Sequence, residues 1–343
     1  MSVEHWEAYY RGGAIATCPM GPSSSYTLEL RELWLGFFSA LDDGARILDV
    51  GTGNGAIALL AKEAATAAGM RFEIHGADLA AIDPPRHVPN GVALFDGIVF
   101  HPGMPAEHLD FPTGSVDAVS GQYSLEYTDV GKALAEVWRV LRPGGRGLFV
   151  LHHEQSVLIR NARESLKHAA LVLEDTKILR KVRRHATAER DSAEAARVTW
   201  AELAGAAARL QQSAATSPTP HILHVVLDGV QKLLGLRTQL GAAAFEREVD
   251  RFEQDVRASV RRLHDLVGCA QSAGQMGLIV ATARRIGFEC GPPASSTTRA
   301  RTSWAGGSTC RAPEPPTARP GARDPHTRSA RRTPWMPVAR YPR

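Results

Sequence analysis

Short apolar runs alternate with helical patterns over the first 152 residues of this 343-residue chain. Runs of strand length lie at residues 46–50, 71–77, 92–100, 116–122 and 148–152. Residues with helical spacing lie at 27–41, 56–65 and 125–141. Such alternation favours right-handed crossovers and a parallel sheet. The sequence therefore predicts an α/β fold with a doubly wound, mostly parallel sheet over residues 41–153, preceded by an N-terminal helical cover over residues 1–40.

A second pattern begins after the fifth predicted strand. Residues 154–270 are rich in Ala, Leu, Arg and Glu, with apolar residues at helical spacing and one clear break at residues 217–220. They predict a large helical insertion. Because it follows the carboxyl edge of the sheet, where ligands of α/β proteins bind, we favour a lid over the substrate pocket. A dimerisation element, giving a homodimer, and a partner-binding bundle are the alternatives.

The end of the chain departs from both patterns. Residues 271–290 predict a return helix of the core, but strands six and seven of a complete sheet are not visible after it. Residues 291–343 contain 10 Pro and 10 Arg with almost no apolar alternation, which predicts a disordered tail. The same bias is expected from a G/C-rich gene translated in the wrong frame. A frameshift near Cys290 is therefore a second interpretation, and resequencing the locus decides between the two.

Charge narrows the choice of partners. The formal net charge is +4, but residues 291–343 hold 10 Arg and no Lys against two acidic residues, which leaves 30 basic and 34 acidic residues in 1–290, a net charge of −4. An acidic folded region disfavours nucleic acid as a partner. With no apolar run of membrane-spanning length and no signal peptide pattern, we expect a cytoplasmic protein.

Neither a metal site nor a disulfide framework is predicted. The histidines in His152-His153-Glu154 are adjacent, and adjacent strand residues point to opposite faces, so we expect no metal there. The cysteines are far apart in the chain and include no C-x-x-C pair, so we expect free thiols. They are Cys18, Cys269, Cys290 and Cys310.

The clearest chemistry lies in residues 47–61, ILDVGTGNGAIALLA, where glycines join a buried strand to a helix. Glycines at 51, 53 and 55 allow a sharp turn and close approach of a ligand to the helix N-terminus. Their spacing leaves both NAD and S-adenosylmethionine open. Asp49 favours S-adenosylmethionine, because a carboxylate in a buried strand is costly unless it meets a cation such as the methionine ammonium. Asp78 ends the second strand, where such sites bind ribose hydroxyls, with a loop cap as the alternative.

Four features in order resemble the type 11 family of small-molecule methyltransferases, which belongs to the class I S-adenosylmethionine-dependent methyltransferases. They are D-x-G-x-G-x-G from Asp49, the acid at Asp78, LDFPTGSVD at residues 109–117 and LRPGG at 141–145. The resemblance covers roughly residues 40–152, with a weaker trace near 274–289. It implies S-adenosylmethionine as cofactor and a small-molecule methyl acceptor.

The resemblance also implies residue roles. The methionyl part lies among Asp49 and the glycine turn, the ribose at Asp78, and the adenine near Ala106 and Glu107. Pro105 stands where the family often has an acidic residue, so the adenine contact falls to the backbone near Ala106 or to Glu107. The full set of predicted cofactor residues is Asp49, Gly51, Thr52, Gly53, Asn54, Gly55, Asp78, Ala106, Glu107 and Gln122.

Catalytic candidates follow the fourth and fifth predicted strands. Methyl transfer from a sulfonium requires positioning and exclusion of water, and a base only where the acceptor must lose a proton. Histidine is favoured as that base because its ordinary pKa lies near neutrality, and a structural role for the paired histidines is the alternative. The candidates are Tyr123, Glu126, His152 and His153. Four aromatic residues near the chain start, Trp6, Tyr9, Tyr10 and Tyr26, either cover the site or serve in packing.

Three functions remain open on the sequence. The first is an enzyme that methylates a small molecule at oxygen, nitrogen or carbon. The second is a protein that binds the cofactor or a partner and has lost catalysis. The third, methylation of RNA or protein, calls for a basic folded surface, which the acidic balance of residues 1–290 disfavours.

Overall fold

A seven-stranded sheet forms the centre of the protein in a computed structural model that describes residues 3–16, 28–291 and 307–311. Its strands are β1 Arg46–Val50, β2 Glu73–Asp78, β3 Ile98–Pro102, β4 Val116–Gln122, β5 Leu141–Val150, β6 Glu289–Cys290 and β7 Gly307–Arg311. Their order in space is β3-β2-β1-β4-β5-β7-β6. Strands β1 to β5 pair in parallel, while β7 is antiparallel to both β5 and β6. The predicted doubly wound, mostly parallel sheet is confirmed.

Helices cover both faces of this sheet and continue into the insertion. In chain order they are α1 Glu4–Arg11, α2 Leu28–Phe38, α3 Ala56–Ala68, α4 Pro84–His87, α5 Gly91–Leu94, α6 Val130–Val140, α7 Val157–Ala170, α8 Ile178–Asp191, α9 Ala193–Thr216, α10 His221–Leu236, α11 Ala242–Cys269 and α12 Ala273–Ile286. A 3₁₀ turn, Leu125–Tyr127, precedes α6, and a π-helical turn, Leu171–Thr176, follows α7. Within the described residues, none of these helices combines the length and apolar character that crossing a membrane requires.

The two faces of β1 bury different cores. Ile47 packs with Trp34 and Phe38 of α2 on one face, whereas Leu48 packs with residues of α6 and α12 on the other. Both side chains are fully buried. Successive residues of a strand point to opposite faces, and a strand covered on both sides reads as a continuous apolar run. This explains why β1 was visible in the sequence with its full length.

Several predicted elements have different bounds in the structure. The strand predicted at 148–152 is β5, which begins at Leu141 and ends at Val150, and the strand predicted at 71–77 is β2, Glu73–Asp78. The strand predicted at 92–100 begins only at Ile98, because Gly91–Leu94 forms the short helix α5 and Gly97 turns the chain with φ of +80°. The helix predicted at 125–141 is divided. Asp129 accepts a hydrogen bond from the Lys132 backbone N–H at 3.2 Å, and this cap begins α6 after the 3₁₀ turn.

Strands six and seven, which the sequence did not reveal, are present as β6 and β7. Strand β7 lies inside the segment 291–343 that was predicted to be disordered, so that prediction is wrong for residues 307–311. The remainder of the segment lies outside the described residues. Gly-Ser-Thr-Cys-Arg has no apolar alternation, and the backbone hydrogen bonds to β5 on one side and β6 on the other account for the strand. The frameshift interpretation stays a hypothesis.

The prediction of four free thiols is wrong at one position. Cys290 is disulfide-bonded, and Cys310 stands opposite it in the β6–β7 register. Cys269 is a free thiol. Cys18 lies outside the described residues, so the expectation of a free thiol there stays a prediction.

Helices α7 to α11 form the predicted insertion, and they have a core of their own. Its fully buried members include Leu203, Leu210, Leu223 and Phe245. Arg183 of α8 also forms ion pairs with three acidic residues of α11: Glu246 at 3.1 Å, Asp250 at 2.6 Å and Glu253 at 2.8 Å. The insertion is therefore held together independently of the sheet.

We predict that Phe245→Ala lowers the free energy of unfolding by about 3 to 5 kcal/mol, because it leaves a cavity in the insertion core. Leu278→Ala is the control, since Leu278 is 68% exposed, and it should change the value by less than about 0.5 kcal/mol. Urea denaturation followed by circular dichroism measures both. Equal effects of the two substitutions would contradict the assigned packing.

Candidate active site

A cavity of about 940 Å³ lies at the carboxyl ends of the parallel strands. Its floor is formed by residues at or just after the ends of β1, β2, β4 and β5. Its walls come from α1 and from three helices of the insertion, α7, α10 and α11. The volume is in the range of small-molecule and cofactor sites. The cavity brings nine of the ten predicted cofactor residues together.

The turn after β1 requires glycine. Gly51 has φ of +66°, and a Cβ atom there would lie 2.3 Å from the Cβ of Ser124, which follows β4. No side chain fits at that distance. Gly53 has φ of +52°, and its N–H donates to Oδ2 of Asp78 at 2.8 Å. The turn is thus fixed between the ends of β2 and β4.

Asp78 lines the cavity beside this turn. Its second oxygen, Oδ1, accepts from the Ala80 N–H at 2.8 Å. Burial raises the pKa of Asp78, while the two backbone N–H groups act in the opposite direction. Each carboxylate oxygen retains the capacity to accept a further hydrogen bond, which suits a ligand with neighbouring hydroxyl groups.

Asp49 is buried in the strand itself, at 1% exposure. The Ser120 hydroxyl donates to Oδ1 at 2.8 Å. Burial raises the pKa of Asp49 to about 7, and the Thr52 and Ser120 hydroxyls oppose that shift. The charge of Asp78 raises it further. A cationic group in the cavity would favour the ionised form of this carboxyl.

In two predicted cofactor residues, only one of the two polar atoms of the side-chain amide forms a hydrogen bond. The Asn54 amide donates to the backbone oxygens of Tyr10 and Ala14, at 2.9 and 2.8 Å, and so holds the segment after α1 against the glycine turn. Gln122 Oε1 accepts from the Trp34 indole at 2.6 Å. Asn54 Oδ1 and Gln122 Nε2 are buried and have no hydrogen-bond partner among the described residues. Unpaired buried polar atoms beside a cavity indicate a polar ligand.

Three further predicted cofactor residues, Ala106, Glu107 and Gly55, differ in whether they line the cavity. Ala106 and Glu107 line the cavity, and Glu107 Oε1 accepts from the Asp129 N–H at 2.8 Å. Gly55 is not among the lining residues. It is the N-cap of α3 with φ of +82°, where a Cβ atom would lie 2.9 Å from the rings of Phe95 and Phe100. Close packing accounts for glycine at this position.

Tyr123 and His152 line the cavity as a stacked pair, with ring centroids 3.9 Å apart and planes 8° from parallel. Tyr123 has φ of +57°, which is uncommon outside glycine and is typical of functional sites. His152 is 2% exposed, and burial lowers its pKa to about 3. Its imidazole is therefore neutral at physiological pH, and its Nδ1 has no hydrogen-bond partner in the described part of the chain.

Glu126 and His153, the other two catalytic candidates, do not line the cavity. Glu126 Oε1 accepts from the His152 backbone N–H at 2.8 Å, and burial raises the pKa of this carboxyl to about 7. His153 Nδ1 accepts from the Gln155 N–H at 3.2 Å, and its backbone forms an isolated bridge with Gln271. Both residues fix the backbone on either side of His152. No cluster of three or more metal-ligating side chains is found in residues 3–16 and 28–291.

The aromatic residues near the chain start serve in both of the ways that the sequence left open. Trp6, Tyr9 and Tyr10 of α1 line the cavity and also pack on one another, while Tyr26 lies outside the described residues. Other wall residues were not predicted from the sequence. The insertion contributes side chains from three helices, among them Leu158, Asn161, Val225, Phe252 and Arg262. An amphipathic helix shows the same apolar stripe whether it faces a core or a cavity, so the sequence held no signal for them.

A doubly wound sheet with a glycine-rich turn after β1 and a carboxylate at the end of β2 is the arrangement of the Rossmann-like nucleotide-binding class. Within that class, residues 48–149 match the family model described as a methyltransferase domain. The matched residues run from β1 to β5, so the part of the chain that is similar to a methyltransferase domain is the parallel sheet with the glycine turn.

Two curated relatives are similar over 29% of the chain. A demethylmenaquinone methyltransferase of Thermus thermophilus is 41% identical over 103 residues, which is 29% of this chain and 44% of the relative. One of Deinococcus radiodurans is 38% identical over 104 residues, which is 29% and 40%. The chain thus spans less than half the length of these relatives. Among solved structures, the YcgJ protein of Bacillus subtilis is 31% identical over 36% of this chain and 51% of its own, with a TM-score of 0.29.

We predict that Asp49 makes stability depend on pH. An unfolded aspartate has a pKa near 3.8, whereas that of Asp49 is raised to about 7. Between these values the folded chain keeps a proton that the unfolded chain releases. Stability that is fully present below pH 3.8 is therefore lost as the pH rises to about 7, at no more than about 1.4 kcal/mol per pH unit.

The comparison with Asp49→Asn isolates this effect, because the other buried acids titrate in both proteins. Urea midpoints are measured at intervals between about pH 4 and 8. As the pH rises to about 7, the midpoint of the parent should fall relative to that of the variant, and above this pH the difference should stay constant. A constant difference between the two urea midpoints at every pH would show that folding does not raise the pKa of Asp49.

Proposed function

We propose that the protein is an S-adenosylmethionine-dependent methyltransferase acting on a small-molecule acceptor. One observation carries the proposal: a single cavity joins the glycine turn and Asp78 to a chamber walled by apolar side chains of the insertion. The first part suits a nucleoside cofactor, and the second suits a separate, largely apolar molecule. The match of residues 48–149 to a methyltransferase domain supports the first part directly.

The residues present fit this cofactor. Asp78 would accept from the ribose hydroxyls, and Asp49 with the glycine turn would hold the methionyl part, where an ammonium matches the buried carboxyl. The unpaired Asn54 Oδ1 and Gln122 Nε2 suit a polar ligand. Ala106 and Glu107 would lie near the adenine. When bound, the cofactor supplies an electrophilic methyl group.

The insertion serves in this proposal as the cover of the acceptor chamber. Leu158 and Ala162 of α7, Val225 of α10 and Phe252 of α11 face the cavity. Such walls exclude water and position the acceptor, which is the main requirement of a displacement at a sulfonium. The relatives are named for a small-molecule acceptor, which supports the same class here. No observation on the described residues favours the homodimer or partner-bundle alternatives.

His152 and Tyr123 are the groups we assign to the acceptor. His152 is neutral, and its buried Nδ1 has no hydrogen-bond partner among the described residues, so it is placed to orient the acceptor by a hydrogen bond. Its pKa of about 3, far below the value near neutrality expected from the sequence, makes it a weak proton acceptor. Stacking on Tyr123 fixes the imidazole plane. Glu126 and His153 act through the backbone around His152 as positioning residues.

We expect the chain to bind S-adenosylmethionine and S-adenosylhomocysteine, and Asp78→Asn to weaken both by about tenfold or more, because charge-assisted hydrogen bonds to the ribose are lost. Asp96→Asn, the same change at an exposed aspartate, should have no effect. Isothermal titration calorimetry measures the affinities, and unfolding midpoints verify that Asp78→Asn is folded. No binding of either ligand to the parent at millimolar concentration would contradict the proposal.

Transfer is tested with methyl-labelled cofactor and a cell extract. We expect label in the small-molecule fraction, with His152→Gln reducing its rate by about tenfold or more because the hydrogen bond that orients the acceptor is lost. His224→Gln is the matched control, since His224 is exposed and does not line the cavity. Both variants should bind S-adenosylhomocysteine like the parent. Binding without transfer to any fraction would favour the catalytically inactive alternative. Label in RNA or protein would favour the macromolecular one.

A further inference from the structure

Arg262 of α11 is a cationic side chain in the wall of the acceptor chamber. Its Cζ lies 4.6 Å from the centroid of the Tyr9 ring. Nη1 donates to the His5 backbone oxygen at 3.2 Å, and Nη2 donates to the Ser259 hydroxyl at 2.9 Å. Both hydrogen-bond partners are neutral. A guanidinium has five N–H donors, so it has further donors to offer a ligand.

No carboxylate neutralises this charge. Across the described ranges Arg262 takes part in no salt bridge, in contrast to Arg183, which pairs with three acids. Asp265 is engaged by His5 Nε2 at 2.6 Å. Asp255 lines the same cavity but is exposed to solvent, and its attraction is a minor influence on Arg262. Burial lowers the pKa of Arg262, as expected of a cation that has left water without an anionic partner.

The chamber that Arg262 lines is mostly apolar, with a few short polar side chains. Phe252, Leu263 and Leu266 of α11 line the chamber, and Asn161 and Ser165 of α7 add an amide and a hydroxyl. A site of this kind takes an apolar molecule whose polar groups are few and specifically placed. A guanidinium recognises carboxylate and phosphate groups through paired hydrogen bonds.

We propose that the methyl acceptor is an apolar molecule carrying an anionic oxygen group, a carboxylate or a phosphate, which Arg262 binds in the chamber. This inference rests on the proposed function and specifies its acceptor class. Arg262 then acts as a specificity residue for the acceptor.

Arg262 also links α11 to α1 through His5 and Tyr9, so a purely structural role is the competing explanation. The two explanations differ in what they predict for ligands. A structural role gives no preference for an anion over a neutral molecule of the same shape. Recognition gives a preference that disappears with the guanidinium and survives removal of a nearby cation.

The probes are naphthalene-2-carboxylate, 2-naphthyl phosphate and the neutral naphthalene-2-carboxamide. Each is titrated by calorimetry into the full chain saturated with S-adenosylhomocysteine, and again without it. We expect at least one anionic probe to bind about tenfold or more tightly than the carboxamide. The better anion identifies the group that the chamber accepts.

Three variants test whether Arg262 causes the preference for an anionic probe. Arg262→Gln should abolish it, Arg262→Lys should retain part of it through charge alone, and Arg261→Gln, which removes an exposed cation one residue away, should leave it intact. Unfolding midpoints and S-adenosylhomocysteine affinities are measured alongside. If Arg262→Gln is unfolded, the comparison of Arg262→Lys with Arg261→Gln decides.

Equal binding of anionic and neutral probes, a preference that persists in Arg262→Gln, or no binding of either anion would overturn the inference. Each of these results leaves S-adenosylhomocysteine binding intact if the proposed function is right. Failure of the parent chain to bind S-adenosylhomocysteine would instead refute the proposed function, while the probe titrations without it still report on Arg262.

Discussion

The parallel pairing of β1 with β2 on one side and β4 on the other positions every other part of the site. It sets Asp49 beside Gly76 and Ser120 in register, so the three strands end at the same edge of the sheet. The following residues, distant in sequence, then meet: Gly51 contacts Ser124 closely, and Gly53 donates to Asp78. A one-residue slip of β1 would turn Asp49 to the opposite face and remove the turn from both neighbours.

Buried acidic residues are the second feature on which the site depends, and loss of hydration is the largest influence on the pKa of each. Burial raises the pKa values of Asp49, Asp78 and Glu126, and their hydrogen-bond donors are hydroxyl or backbone N–H groups. Such groups reduce stability in the absence of a ligand and cluster at functional sites. Burial acts in the other direction on two basic side chains of the cavity and lowers the pKa values of His152 and Arg262. Asp49, Asp78, His152 and Arg262 thus line one cavity in which burial disfavours the charged form of each.

The sequence predicted those features that depend on neighbouring residues. Strands β1 and β4 have the predicted bounds, and nine of the ten predicted cofactor residues line one cavity. The sequence did not reveal features that depend on partners distant in the chain. Strand β7 pairs with β5 and β6, Gly55 packs against two phenylalanine rings, and Arg262 belongs to a helix whose apolar stripe resembles any core-facing pattern.

The separate core of the insertion has an evolutionary consequence. Leu203, Leu210, Leu223 and Phe245 stabilise these helices without contributing to the cores on either face of the sheet. Substitutions among these four side chains are therefore expected to leave the packing of the sheet unchanged. Under the proposed function, the part of the cavity that would bind the cofactor and the part walled by the insertion could diverge at different rates, so a lineage of such proteins could change its methyl acceptor while keeping its methyl donor.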